Sequence, residues 1–276
     1  MSFDENVSEH YTHGSLLNAV KIGIEQLGKT LSSITIEDLA PLDEFHIGGR
    51  QASENFFDQL NFSAEDHLVD VGCGLGGASR FVAKRYNSKV TGIDLTPEYI
   101  ETGEALCTWL GLDNLVDLQQ GSALNMPFED DVFDGGYMMH VGMNIKDKIG
   151  LYKEIFRVLR SGASFGVYDV MMVEEGELMY PVPWATTANE SKVASPGQYK
   201  QAMEEAGFIV TAENNRHEFA LSFFEQLRKN SSNAGGPPPL GIHILLGDNS
   251  AAKVQNMIKN VSAGHIAPVE LIARKN

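Results

Sequence analysis

Basic residues are scarce in this chain. Lys and Arg number 21 against 37 Asp and Glu, a formal net charge of −16 over 276 residues. A nucleic-acid partner needs a compensating basic face, and none is visible, so no nucleic acid is expected. The plain account of the excess is a solvated acidic surface that aids solubility. Cysteine is nearly absent: Cys73 and Cys107 cannot build a disulfide framework. Long apolar runs are missing too. None approaches the roughly 20 residues that cross a bilayer, so no membrane partner is expected. The stretch MSFDENVSEH is acidic and polar, unlike a secretory signal. A soluble, cytoplasmic setting is the expectation. What remains is ordinary globular material, 43% hydrophobic, long enough for one large α/β domain with additions.

The patterning alternates between strands and helices. Residues 1–30 predict an amphipathic helical lead-in that offers Tyr11, Leu16, Leu17, Val20, Ile24 and Leu27 for packing. A second helical pattern covers 49–60. Strands are predicted at 68–71, 89–94, 115–120, 132–139 and 164–170, with helices at 78–86, 97–110 and 146–159 between them. Strands separated by helices argue a parallel sheet with right-handed crossovers and helices on both faces. After residue 170 the rhythm loosens. Residues 171–195 show no clear period. A helix at 196–206, a strand near 208–213 and a helix near 217–229 follow. A glycine- and proline-rich loop at 230–241, a helix at 249–262 and an apolar stretch at 266–273 complete the chain. The last is expected as an edge strand.

The loop Gly72-Cys73-Gly74-Leu75-Gly76-Gly77 joins the first of these strands to its helix. Glycines let the backbone turn tightly and approach a ligand closely. The spacing alone suits several ligands. Asp70 chooses among them: a carboxylate two residues before the loop opposes a pyrophosphate and attracts a cation. Asp94 ends the next strand at the distance where an acidic side chain accepts from ribose hydroxyls.

Four segments then carry a resemblance. LVDVGCGLGG (68–77), VTGIDLT (90–96), GSALNMPFEDDVFDGGYMM (121–139) and EIFRVLRSGASFGVYD (154–169) together resemble the class I methyltransferases that use S-adenosylmethionine (SAM) on small molecules. HIGGRQAS (46–53), PVPWATT (181–187), GPPPLG (236–241) and GHIAPVE (264–270) look like the sarcosine/dimethylglycine N-methyltransferase subgroup. The resemblance implies a Rossmann-like sheet with helices on both faces. It implies an N-terminal helical lid over 1–45 and a methyltransferase domain over 46–276. Residues 46–170 would be its cofactor core and 171–276 its acceptor side. It implies SAM as the cofactor. Asp70 and Gly72 would hold the methionyl amine, Gly74 would allow close approach, Asp94 would bind the ribose and Leu95 would pack on the adenine. Ser122 stands where the family usually has Asp; a hydroxyl accepts more weakly, whereas the Ala123 amide is unaffected by that change. Ile47, Gly48 and Gly49 would sit over the methionyl end.

SAM carries its own leaving group, so placing the acceptor supplies most of the acceleration. No metal is expected: His10, His13, His46 and His67 match no ligand spacing. Methylated amines favour aromatic faces, which nominates Tyr11, Tyr137, Tyr180 and Trp184. His140, after the fourth strand, is the candidate base, with Tyr11 beside it through the lid. Asn144 falls where related phosphobase enzymes carry a histidine. Arg50 and Arg216 are candidates for an acceptor carboxylate. The leading expectation is methylation of an amine nitrogen, by a monomer or homodimer. Transfer to carbon, oxygen or sulfur of a quinone- or sterol-like acceptor, a nucleotide-dependent dehydrogenase and a SAM-binding module without turnover are the alternatives.

Overall fold

The structure, a computed structural model, describes residues 8, 10–12, 14–231 and 238–276. His13 and residues 232–237 of the 230–241 loop lie outside them, and the first two residues of that loop belong to a helix instead. Seven strands form one sheet in the order β3-β2-β1-β4-β5-β7-β6. They are β1 (His67–Val71), β2 (Lys89–Asp94), β3 (Val116–Gln120), β4 (Phe133–Met139), β5 (Leu159–Met172), β6 (Phe208–Asn215) and β7 (Ile266–Lys275). Strands β1 to β5 pair in parallel, while β7 runs antiparallel to both β5 and β6. This is the Rossmann-like class I methyltransferase arrangement, with a mixed rather than purely parallel sheet. The chain reverses between β1 and β4, the place where such sheets leave a crevice at the carboxyl ends of the strands.

The 266–273 stretch departs from the expectation. It does not lie at an edge; β7 sits between β5 and β6. Nine of its ten residues are buried, and a strand covered on both faces belongs inside a sheet. Its one buried acid, Glu270, is held by Arg216 at 2.7 Å, Gln59 at 2.9 Å and Asn214 at 3.2 Å. Strand β5 also runs further than 164–170 at both ends.

Ten helices flank the sheet among the described residues. Those preceding the fourth crossover are α1 (Leu16–Gln26), α2 (Ile36–Asp43), α3 (Gly49–Phe57), α4 (Gly77–Tyr86) and α5 (Pro97–Leu110). Then come α6 (Lys148–Val158), α7 (Pro196–Ala206), α8 (His217–Ser231), the short α9 (His243–Leu246) and α10 (Ser250–Ser262). Their limits have local causes. Pro97 opens α5 and Gly111, left-handed, closes it. Ser195 and Gln198 form a reciprocal cap on α7, as Thr35 and Asp38 do on α2. The N-terminal lead-in is realised as α1, which buries Leu16, Val20 and Ile24. Leu27 stays exposed.

Candidate functional site

A cavity of about 530 Å³ opens at the carboxyl ends of β1, β2 and β4. Its floor is the glycine loop. Backbone N–H groups of Gly72 and Cys73 both donate to the Ile93 carbonyl, at 2.8 and 3.0 Å, which folds the loop across the end of β2. Gly72 has φ +74°, and a side chain there would run into Val141 at 2.4 Å. Gly74, at φ +55°, faces open space instead: a Cβ would meet only Tyr99, at 4.0 Å. A left-handed turn with one open face is what close ligand approach requires.

Two carboxylates stand behind this loop. Asp70 is 1% exposed and accepts a 2.6 Å hydrogen bond from the Ser79 hydroxyl. Asp94 accepts from the Gly74 amide at 3.0 Å and the Thr96 amide at 2.9 Å, one bond on each oxygen. Each oxygen keeps a further lone pair. Neither acid has an ion-pair partner among the described residues. Burial therefore pushes the Asp70 carboxyl up to about 7 and raises Asp94 as well. Leu95, Ser122 and Ala123 line the same cavity. The Ser122 hydroxyl accepts from the Leu124 amide at 3.3 Å.

The opposite wall is the turn after β4. His140 has φ +56°, a conformation rare outside glycine and typical of functional turns. Its N–H donates to the Tyr168 carbonyl at 2.8 Å, and its ring stacks on Tyr168 at 5.4 Å. Its Nε2 is buried with no hydrogen-bond partner among the described residues. Desolvation first, then the neighbouring His46, hold the imidazole well below its ordinary pKa, so it is neutral. Asn144 follows on the same turn and accepts from the Tyr11 hydroxyl at 3.4 Å. Burial raises the Tyr11 phenol, which stays protonated.

The other nominated residues sit elsewhere. Ile47, Gly48 and Gly49 are outside the cavity lining; the Ile47 carbonyl accepts from the Tyr168 hydroxyl at 2.7 Å, and Gly48 packs under Phe219. Trp184 is 4% exposed inside an apolar cluster, with its indole N–H given to Ser191 at 2.9 Å. Tyr180 packs against that cluster, and Tyr137 lies in the core under the sheet. Arg50 pairs with Glu44 and lies over the Phe81 ring, and Arg216 pairs with Glu270. His46 bonds Ser53 and Gly49, and His67 bonds Thr91.

Several cavity residues carried no sequence motif. Asp43, Phe45 and Leu245 arrive from α2, the segment after it and α9. Tyr99 is another that the sequence reading missed, although its position offered a signal: it lies in the first turn of α5, and helices in this fold begin where strands end. Its hydroxyl is buried with no partner among the described residues. Arg80, fully buried, ties the wall together: it donates to the Leu75 carbonyl of the loop and to Asp43, both at 2.6 Å.

Residues 69–167 match the family model described as a methyltransferase domain. Among curated relatives, cycloartenol-C-24-methyltransferase 1 of rice (Oryza sativa subsp. japonica) is 32% identical over 163 residues, 55% of this chain and 46% of that protein. Ajmaline N-methyltransferase of Rauvolfia serpentina is 37% identical over 98 residues, 36% of this chain and 34% of that protein. Among solved structures, a sarcosine dimethylglycine methyltransferase of Galdieria sulphuraria, named as putative, superposes with a TM-score of 0.61 at 19% identity, covering 82% of this chain and 83% of that one. The chain spans about half the length, or less, of the curated relatives it matches.

Proposed function

We propose that this chain binds S-adenosylmethionine and transfers its methyl group to an amine nitrogen of a small molecule. One observation carries the cofactor: Asp70, a fully buried carboxylate at the end of β1, faces a cavity without a protein cation to neutralise it. A buried carboxylate without a counter-charge is costly. A ligand that brings an ammonium and a sulfonium supplies that charge; a pyrophosphate would not. Asp94 would accept from the ribose hydroxyls with its remaining lone pairs. Leu95 and the Ala123 amide would frame the adenine, and Ser122 would contribute its weaker hydroxyl. The methyltransferase domain match over 69–167 and the fold support the same reading.

Bound there, the cofactor supplies a methyl group already attached to a good leaving group. The protein's part is placement. The turn 140–144 and Tyr11 form the wall on the far side of the carboxylates. His140 is neutral, so its ring can accept a hydrogen bond from an amine acceptor, while the burial that keeps it neutral opposes its taking up a full proton. Asn144 and Tyr11 offer a paired amide and phenol to orient the acceptor. Residues 1–45 would act as the lid, since Tyr11, Asp43 and Phe45 all reach the cavity from that side.

A second reading has its own observation. The cavity wall also carries Leu42, Phe45, Ile145 and Leu245, an apolar surface suited to a sterol-like acceptor methylated at carbon, as in the rice relative. One experiment separates the two. The protein is incubated with methyl-labelled SAM and a panel of sarcosine, dimethylglycine, alkaloid amines, sterols and prenyl diphosphates, and product masses are read. Label in the amines supports the first reading; label only in sterols or prenyl chains replaces it with the second. Failure to bind S-adenosylhomocysteine in calorimetry would remove both.

A further inference from the structure

The buried acid Asp169 has no part in the cofactor site, yet it is tied to it. Asp169 lies in β5 with no exposed surface. Its Oδ2 accepts from the Tyr199 hydroxyl at 2.7 Å and its Oδ1 from the Val170 amide at 3.0 Å. The Gly142 backbone lies against the same carboxylate and helps to hold its pKa down. Gly142 begins the short 3₁₀ turn Gly142–Asn144. A Cβ on Gly142 would lie 2.4 Å from both Asp169 Oδ2 and the Tyr199 hydroxyl, so the turn is pressed directly onto this pair.

That turn touches two walls of the cavity and the irregular segment beyond it. Val141 fills the space over Gly72, so the turn abuts the glycine loop. Asn144 meets Tyr11. The Met143 carbonyl accepts from the Lys192 amide at 2.8 Å, which reaches the irregular 171–195 segment. Lys148 closes the turn from below, donating to the carbonyls of Ile145 and Lys192. His140 itself is bonded through its N–H to Tyr168, the residue before Asp169. Two successive residues of β5 therefore hold the turn, one by its backbone and one by its carboxylate. A left-handed histidine persists only where its surroundings fix it.

We infer that Asp169 is a positioning residue: its carboxylate, braced by Tyr199, anchors Gly142 and so sets where His140 and Asn144 stand relative to the cofactor loop. The consequence for catalysis rests on the methyltransferase reading; the geometry does not. Lys148, which donates to the Ile145 carbonyl at the end of the same turn, also acts electrostatically on Asp169, so the acid and its neighbouring cation grip the turn from two sides.

The test uses the full chain and three readouts. Asp169→Ala, Asp169→Asn and Tyr199→Phe are compared with Val82→Ala, a core variant on α4 in a different apolar cluster. The readouts are thermal midpoint, S-adenosylhomocysteine affinity by calorimetry, and the His140 ring resonance in ¹⁵N-histidine-labelled protein, assigned with His140→Gln. Asp169→Ala is expected to move the His140 resonance and to weaken the ligand roughly tenfold, the scale of one lost hydrogen bond to a charged group. Tyr199→Phe should move the resonance less, and Asp169→Asn, which keeps an acceptor, should restore part of it. Val82→Ala should lower the midpoint and leave the resonance in place. An unmoved His140 resonance in a folded Asp169→Ala protein overturns the inference. If that variant does not fold, Gly142→Ala must move the resonance instead, and an unmoved signal there is equally fatal. Should the unaltered protein fail to bind S-adenosylhomocysteine, the functional proposal falls while the resonance still decides the role of Asp169.

Discussion

Buried carboxylates occur on both flanks of the sheet, and they are treated differently. On the β1–β2 flank, Asp70 has a hydroxyl partner and Asp94 two amides, and no cation meets either. On the β7 flank, Glu270 is as deeply buried and is met by Arg216, Gln59 and Asn214. The first pair is left electrostatically incomplete at the edge of a cavity. The second acid is complete and sealed. Incompleteness of a buried charge, more than burial itself, is what separates a ligand position from a structural one.

The largest expected contrast follows from exchanging the two. Asp70→Asn should weaken SAM about 100-fold by calorimetry, because it removes the counter-charge to the ligand's cations. The same change should relieve the ligand-free protein at high pH. The Asp70 carboxyl is raised to about 7 when folded, against roughly 3.9 unfolded. Its ionisation therefore destabilises the fold progressively between those values, by on the order of 4 kcal/mol above pH 7, and not at all below about pH 4. Chemical denaturation across pH 4–8 should show the Asn variant gaining on the parent as pH rises. Equal profiles would mean that Asp70 is not the strained acid of the pair compared here.

Next in size is Glu270→Gln. It leaves Arg216 without its partner, and because that guanidinium is a third exposed the loss is about 2 kcal/mol rather than the full value of a sealed pair. The thermal midpoint should fall and SAM affinity should hold. A drop in affinity would erase the distinction between the flanks. A finer probe is the pH dependence of binding itself. SAM should bind more tightly as pH rises from 5.5 to 7, by up to tenfold per unit, and level off above, with one proton released on binding at the lower pH. A flat profile in Asp70→Asn and an unchanged one in Glu270→Gln would sharpen the comparison. The smallest effect should come from Gly111→Ala. This left-handed glycine caps α5 with nothing within 4 Å of a Cβ, so only backbone strain of about 1 kcal/mol is lost from stability. Ligand affinity should not change.

The β1–β2 flank was readable in the sequence because its signals are local. Strand 89–94 and helix 97–110 fall on their predicted limits, since Pro97 and Gly111 punctuate the helix and Asp94 ends the strand. Asp70, Gly72, Gly74, Leu95, Ser122, Ala123, His140 and Asn144 all reach the cavity because each lies at or just after a strand end, where the fold gathers residues by topology. Trp184 and Tyr180 are nominated by their residue type and by their place in the irregular segment after the fifth strand. An aromatic in an irregular segment has no period to say which way it faces, and Trp184 turned inward with its N–H satisfied by Ser191. The position of β7 was hidden for a different reason. An apolar run of eight residues fits an edge or an interior equally, and only the partner on its far side, β6, decides between them. Asp43, Phe45 and Leu245 enter from segments whose approach depends on long-range packing, including Arg80, and no nearby residue announces it.

The placement of β7 between β5 and β6 also orders events in time. The strand at 208–215 precedes its only neighbour at 266–275 by some fifty residues of chain. During synthesis β6 has nowhere to dock, and β5 presents an open edge, until the later strand arrives and stitches both at once. Until then two rows of unpaired backbone groups stay available to other chains. The ten residues of β7 thus act as a fastener between β5 and β6, and once they are in place the edges of the sheet are β3 and the outer side of β6.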